Sequence, residues 1–222
     1  MKTLVIAPHP DDEILGCGGT LLRRAAEGGV VGWLVVTAMT ESEGWSVERI
    51  QQRTEEIERV REGLGIAAEH LYQLGLPAAA LDRLPMGTLV AGVSEVFKDF
   101  LPEEVFLPHP GDAHSDDRTV FEAASACMKW FRYHSVQRVL TYETLSETDA
   151  GLDLTRPFSP TVFVDISAYL ERKKTLMRVY SSEIGAFPFP RSEEAIDALA
   201  RLRGAQAGFM AAESFVLLRE RS

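Results

Sequence analysis

The N-terminal stretch alternates between apolar runs and polar breaks in an order that few folds accept. Leu4-Val5-Ile6-Ala7 reads as a short buried strand and passes directly into the polar, turn-like segment Pro8 to Glu13. Ile14 to Glu27 then reads as a helix closed by Gly28-Gly29. Val30 to Thr37 is an apolar run rich in valine, which fits a strand covered on both faces. Strand, turn, helix and strand in that order are the pattern of a parallel sheet with helical crossovers.

The alternation continues along the chain. Helices are expected over Val47 to Gly65, Thr88 to Phe100, Asp116 to Arg132, Ala168 to Tyr180 and Glu193 to Ala212, the last leading into Phe215 to Leu218. Strands are expected over Leu71 to Leu74, Glu104 to Leu107, Val136 to Tyr142 and Thr161 to Ile166. Ser115 or Asp116 is the expected cap of the third of these helices. Ser146 to Pro160 reads as a surface loop, and Glu183 to Arg191 as a segment kept extended by Pro188 and Pro190. No repeat, low-complexity tract or linker interrupts the pattern. The expected architecture is α/β: a single domain over residues 1–222, built as a Rossmann-like sandwich with a mainly parallel sheet.

Composition narrows the partners. The chain has 222 residues, 45% apolar and 25% charged, enough for one sizeable core. Its net charge of −10 opposes non-specific binding to nucleic acid or an anionic membrane. Two cysteines, Cys17 and Cys127, do not make a disulfide framework, and a reducing cytoplasm is the simplest setting. The start of the chain lacks the pattern of a signal peptide, and Val30 to Met39, the longest apolar stretch, is too short to span a bilayer.

Two segments carry chemistry. The first is Pro8-His9-Pro10-Asp11-Asp12-Glu13, followed by Gly16-Cys17-Gly18-Gly19. It lies directly after a buried strand, where α/β sheets gather their ligands. His9 offers an imidazole nitrogen and Asp12 a carboxylate oxygen, a usual pairing for zinc or another divalent ion. Asp11 and Asp12 are adjacent and must point differently, so one can bind a metal while the other takes a proton from water. The second segment, Pro108-His109-Pro110-Gly111-Asp112-Ala113-His114-Ser115-Asp116-Asp117-Arg118, also joins an expected strand to an expected helix. His114, Asp116 and Asp117 are candidates for a third ligand, and a histidine near the water would serve as proton donor or oxyanion stabiliser. Both segments also read as capped helix starts, with acidic residues favourable to the helix dipole. The histidine between two prolines is the feature that capping leaves unexplained.

These segments resemble the LmbE-like family of N-acetylglucosaminyl deacetylases, also called the PIG-L family. Its members carry His-Pro-Asp-Asp-Glu after the first strand, then a glycine pair, and later His-x-Asp-His at a helix start. Here the first motif is complete as His9 to Glu13 with Gly18-Gly19. Arg53 to Gly65 looks like the family's helix after the second strand. Tyr142 to Thr148, Pro188 to Ser192, Arg203-Gly204 and Ala212 to Phe215 look like a bacterial subgroup associated with surface-polysaccharide sugars. The resemblance implies a zinc-dependent hydrolase that removes the acetyl group from an N-acetylated sugar. His9 and Asp12 would bind the metal, Asp11 would be the general base, His114 would polarise the carbonyl or protonate the leaving amine, and Asp116 would orient His114. It leaves open a nucleotide or lipid carrier and allows a homo-oligomer.

One departure stands out. Asp117 occupies the position of the family's third zinc ligand, a histidine. One histidine and two aspartates make a harder site with one more negative charge, in which bound water is acidified less. Asp117 is expected to work as a ligand, with His109 reaching the metal as an alternative that matches no family position. A catalytically weakened sugar-binding or scaffolding module is the competing reading. A nucleotide-dependent enzyme is disfavoured, because Asp11 and Asp12 would repel phosphate and no glycine-rich phosphate loop follows the strand. On the substrate side, Arg53, Tyr142, Glu143 and Arg191 are the expected contacts, with Trp45 and Phe189 as aromatic candidates. Arg191 is placed to meet a phosphate or carboxylate. Glu13 is expected either to brace His9 or to act on the helix dipole, Cys17 to pack, and His70 and His134 to be structural or on the surface.

Overall fold

The computed structural model describes residues 1–222 as an alternation of strands and helices: β1 (Lys2–Ala7), α1 (Asp12–Ala26), β2 (Val30–Ala38), α2 (Val47–Leu64), β3 (Leu71–Pro77), α3 (Met86–Phe100), β4 (Glu104–Leu107), α4 (Ser115–Ala126), β5 (Arg138–Tyr142), β6 (Val162–Asp165), α5 (Leu170–Met177), α6 (Glu193–Ala207) and β7 (Ala212–Glu220). All seven strands form one sheet in the order β3-β2-β1-β4-β5-β7-β6. The pairs from β3 through β5 are parallel, whereas β7 runs antiparallel to both β5 and β6. The sheet is therefore mainly parallel, and the α/β class is as the sequence implies.

The period-2 geometry of a strand divides the core. Val5 and Ala7 of β1, with Trp33 and Val35 of β2, face one layer, which α1, α2, α5 and α6 close through Ile14, Ile57, Leu176 and Ile196. Leu4 and Ile6, with Leu34 and Val36, face the opposite layer, closed by α3 and α4 through Leu89, Phe97 and Val120. Burial on both faces is why these strands read as continuous apolar runs rather than alternating ones. Cys17 and Cys127 are free and buried in opposite layers. No helix is long and apolar enough to cross a membrane.

Three elements depart from the sequence reading. Helix α4 stops at Ala126, not Arg132, in a turn where Cys127 N donates to Ala124 O and Met128 N to Ser125 O. Trp130 and Phe131 beyond it are more than half exposed, so no core surface would hold a further helical turn. Helix α6 ends at Gly208, whose φ of 78° places it in the left-handed region that glycine accepts, and the chain turns into β7 at Ala212. The segment 183–191 is not extended. Phe189 N donates to Ala186 O and Ser192 N to Phe189 O, so the prolines serve in consecutive turns.

Candidate metal centre and active-site pocket

Strand β1 is flanked by β2 on one side and β4 on the other, so the strand order reverses there. The loops leaving the carboxyl ends of β1 and β4 diverge to opposite faces, and the crevice between them is where such sheets place ligands. The loop after β1 carries His9 and Asp11, and the loop after β4 carries His114. The His9 and His114 rings meet edge to face with centroids 4.7 Å apart. His9, His114 and Asp117 each present one ligand atom, and these atoms lie within 4.8 Å of one another.

The surrounding bonds show what each residue can do. Asp12 Oδ2 accepts from His9 N at 2.9 Å and lies 3.5 Å from His9 Nδ1. Asp116 Oδ2 lies 3.0 Å from His9 Nε2, and its carboxylate also accepts from Ala79 N at 2.7 Å and Leu81 N at 3.1 Å. The expected partner of Asp116 was His114, but its carboxylate contacts His9. The backbone amides after β3 pull it to that side. His114 is the N-cap of α4, and its Nδ1 accepts from Asp116 N at 3.1 Å. The neutral ring must then carry its proton on Nε2, free to donate a hydrogen bond.

Asp117 is fully buried, and neither carboxylate oxygen has a hydrogen-bond partner. Burial, reinforced by the charge of Asp12, pushes its carboxyl well above the usual range. The same two causes, in the same order, raise Asp11. Burial opposes charge on His9, but hydrogen bonds to Asp116 and Asp12 outweigh it and hold the imidazole well above its ordinary value. Four buried carboxylates beside two imidazoles, one carboxylate with both oxygens orphaned, form a donor set that fits a divalent cation. An ion there would supply the missing partner and offset the repulsion.

Asp11 is held in a backbone conformation that few non-glycine residues adopt, with φ of 135°. Its own N donates to Glu13 Oε2 at 3.0 Å, and its carbonyl accepts from Ile14 N and Leu15 N. Strain of this kind costs about 1–3 kcal/mol and collects where geometry serves chemistry. Glu13 is fully buried and also accepts from the Tyr180 hydroxyl at 2.8 Å, so it braces Asp11 rather than His9. Burial pushes its carboxyl to about 8, against those two hydrogen bonds.

A cavity of about 500 Å³ opens over His9, Asp11, Asp12 and His114. Arg53 and Arg191 stand on its wall, and Trp45 lies at the same pocket. Arg53 donates to Pro10 O at 2.9 Å, while Arg191 lies 3.5 Å from Asp11 Oδ2 and over the Phe189 ring. Tyr142 and Glu143 are elsewhere. Tyr142 is fully buried, its hydroxyl donates to Ile6 O at 2.9 Å, and its ring fills the space that a Cβ at Gly16 would need. Glu143 takes Arg203 in a two-point ion pair and accepts from Ser214 Oγ at 2.7 Å, tying α6 to β7. Both are therefore corrected from substrate contacts to packing and bracing residues. His109 is not part of the His9, His114 and Asp117 cluster; its Nε2 lies 2.9 Å from Arg156 O and its ring against Phe158. Glu147 and Glu183 also line the cavity; neither is among the residues the sequence singles out, although Glu147 lies within the segment Tyr142 to Thr148 that carries the resemblance.

An α/β sheet carrying imidazoles and buried carboxylates at its switch point defines a candidate metal-dependent enzyme. Residues 4–128, more than half of the chain, match the family model described as PIG-L, GlcNAc-PI de-N-acetylase, and the chain belongs to the PIG-L family. It is 27% identical to the diacetylchitobiose deacetylase of Thermococcus kodakarensis, over 96% of this chain and 81% of that protein. It is 28% identical to the uncharacterized deacetylase YaiS of Escherichia coli, over 64% of this chain and 74% of that protein. The crystal structure of the conserved protein TT1542 from Thermus thermophilus superposes with a TM-score of 0.79 at 28% identity, covering 99% of this chain and 95% of that one.

Proposed function

We propose that the protein hydrolyses the acetamido group of an N-acetylated sugar, releasing acetate and leaving the sugar amine. The observation that carries this reading is the orphaned Asp117 carboxylate, buried beside His9 and His114 under an open cavity. Membership of a deacetylase family supplies the substrate class.

His9, Asp12 and Asp117 would hold the ion, zinc or another divalent metal. This set shares His9 and Asp117 with the cluster of nearest ligand atoms and takes Asp12, which abuts His9, in place of His114. Such an ion supplies Lewis acidity, drawing charge from an acyl oxygen and acidifying water. Asp11 lies on the cavity wall with a raised proton affinity, as a general base requires, and takes a proton from the attacking water. Arg191, 3.5 Å away, limits that rise and keeps the carboxylate oriented. Neutral His114 donates an Nε2–H hydrogen bond to the acetyl oxygen as charge develops there, water adds to the acetyl carbon, and Asp11 passes the proton it took from water to the departing nitrogen, so that the C–N bond breaks and the amine leaves. Asp116 acts through His9 as a positioning residue, fixing the ring from its far side.

The test is acetate release from a panel of N-acetylhexosamine conjugates, with and without chelator. Release that chelation abolishes and divalent metal restores is the expected result. Metal binding without release from any conjugate would favour the weakened sugar-binding module instead.

A further inference from the structure

Glu183 lies among guanidinium groups that an anionic substrate would otherwise claim. Its Oε1 accepts from Arg53 Nη2 and from Ser182 Oγ, the latter at 2.7 Å, and its Oε2 lies 3.5 Å from Arg191 Nη2. Arg49 Nη2 is 3.8 Å from the same Oε1. Each of these arginines has a second acidic partner. Arg49 and Arg53 pair with the buried Glu56, at 3.4 and 3.1 Å, and Arg191 with Asp11. Glu183 is thus shared by Arg49, Arg53 and Arg191, with Glu56 and Asp11 as their second acceptors. Arg53, Arg191, Glu183 and Asp11 line the cavity, and its other acidic residues are Asp12 and Glu147. Burial raises the Glu183 carboxyl, but the Ser182 hydroxyl and the Arg53 charge more than reverse this, so Glu183 stays ionised on its arginines.

We propose that Glu183 sets the substrate class by occupying the guanidinium groups of the pocket wall, so that the site takes an N-acetylated glycan with no phosphate or carboxylate beside the acetamido group. This rests on the deacetylase reading for the identity of the substrate, but the contacts of Glu183 with the arginines stand without it. In a 2-acetamido sugar phosphorylated at its anomeric carbon, the phosphate sits on the ring carbon next to the one that bears the acetamido group. It must therefore enter the same cavity. There it would either break the Glu183 contacts or remain an unmatched charge, and both are costly away from water. A neutral glycan meets no such barrier. Trp45, partly exposed at the pocket, offers its aromatic face to a further uncharged ring. A nucleotide or phospholipid carrier attached at the anomeric carbon is accordingly rejected, and a neutral oligosaccharide is accepted.

The test separates electrostatics from turnover. Inorganic phosphate is titrated calorimetrically into metal-free protein, as wild type, Glu183→Gln and the Glu183→Gln/Arg191→Gln double variant, with folding checked by circular dichroism. Glu183→Gln is expected to bind phosphate about tenfold or more tighter than wild type, and the double variant to lose that gain. Equal affinity in wild type and Glu183→Gln, or no phosphate binding by either, overturns the proposal. If Glu183→Gln does not fold, the wild type alone decides through competition between N-acetylglucosamine and its 1-phosphate for the zinc-loaded protein: weaker competition by the phosphate supports the proposal, and equal or stronger competition overturns it. A phosphate gain in Glu183→Gln with no acetate release from any sugar would leave the pocket's charge selection standing and sink the deacetylase reading alone.

Discussion

The Asp117 carboxylate lies 3.7 Å from His114 Nδ1, fully buried and with neither oxygen hydrogen-bonded. A buried carboxylate without partners is expensive, and a partner bound from solution is the simplest relief. Asp117→Asn should therefore have opposite effects in two states. In metal-free protein it replaces a buried carboxyl that is costly to ionise with a neutral amide, and should stabilise by about 1–3 kcal/mol at a pH where that carboxyl would carry charge. With metal added, the variant should bind it at least about 100-fold more weakly and lose that stabilisation. Chemical denaturation with and without zinc reads both; a variant destabilised in the metal-free state would show that Asp117 is satisfied without an ion.

Asp12 and His114 should separate by function. Asp12→Ala should lose the ion. His114→Ala should retain it while kcat falls by about 10²–10⁴, with KM little changed. Metal analysis beside steady-state kinetics makes the comparison. Loss of metal from His114→Ala would instead make His114 a ligand, as its place in the cluster with His9 and Asp117 allows.

Asp11→Asn should bind metal and substrate but lose about 10²–10⁴ in kcat, because the amide cannot take the proton. A variant with near-normal kcat would remove Asp11 from its role. The neighbouring Glu13 holds Asp11 N and the Tyr180 hydroxyl, so its replacement should disturb Asp11 through the backbone.

The corrected residues offer a control. Tyr142→Phe removes one buried hydrogen bond, to Ile6 O, and should cost about 1 kcal/mol of stability while leaving KM unchanged. A raised KM at unchanged stability would return Tyr142 to the substrate.

Asp112 gives a pH signature. Its carboxyl is pushed to about 8 by burial, against hydrogen bonds from the Thr148 hydroxyl and His109 N. The folded chain therefore holds a proton that the unfolded chain releases near the ordinary value of 3.8. Stability from this group is fully present below that value and is lost as pH rises toward about 8. Metal-free Asp112→Asn should lose less stability over this window than metal-free wild type, as denaturation across the range would show.

Much of this was legible in the chain and some was not. The β1-turn-α1-β2 opening was readable because strands buried on both faces leave unbroken apolar runs and the glycines close the helix. The motif residues His9, Asp11, Asp12, His114 and Asp117 were readable one segment at a time, but they converge because β1 and β4 pair in the sheet, which the order of elements alone does not fix. The partner of Asp116 was not readable, since the amides of Ala79 and Leu81 that set its direction come from a distant turn. Tyr142 was misread because the end of a sheet strand points equally into a core layer or a crevice, and only the glycine at position 16 opposite decides. Glu183 was not singled out because its meaning lies in arginines gathered from α2 and from the loop before α6.

The most direct test is metal content measured on the same sample as acetate release, before chelation, after it and after zinc is restored. About one ion per chain, with release that disappears and returns with the metal, is the result expected of a site closed by Asp117. Acetate release undiminished in fully metal-free protein, or failure to bind zinc at all, would contradict it.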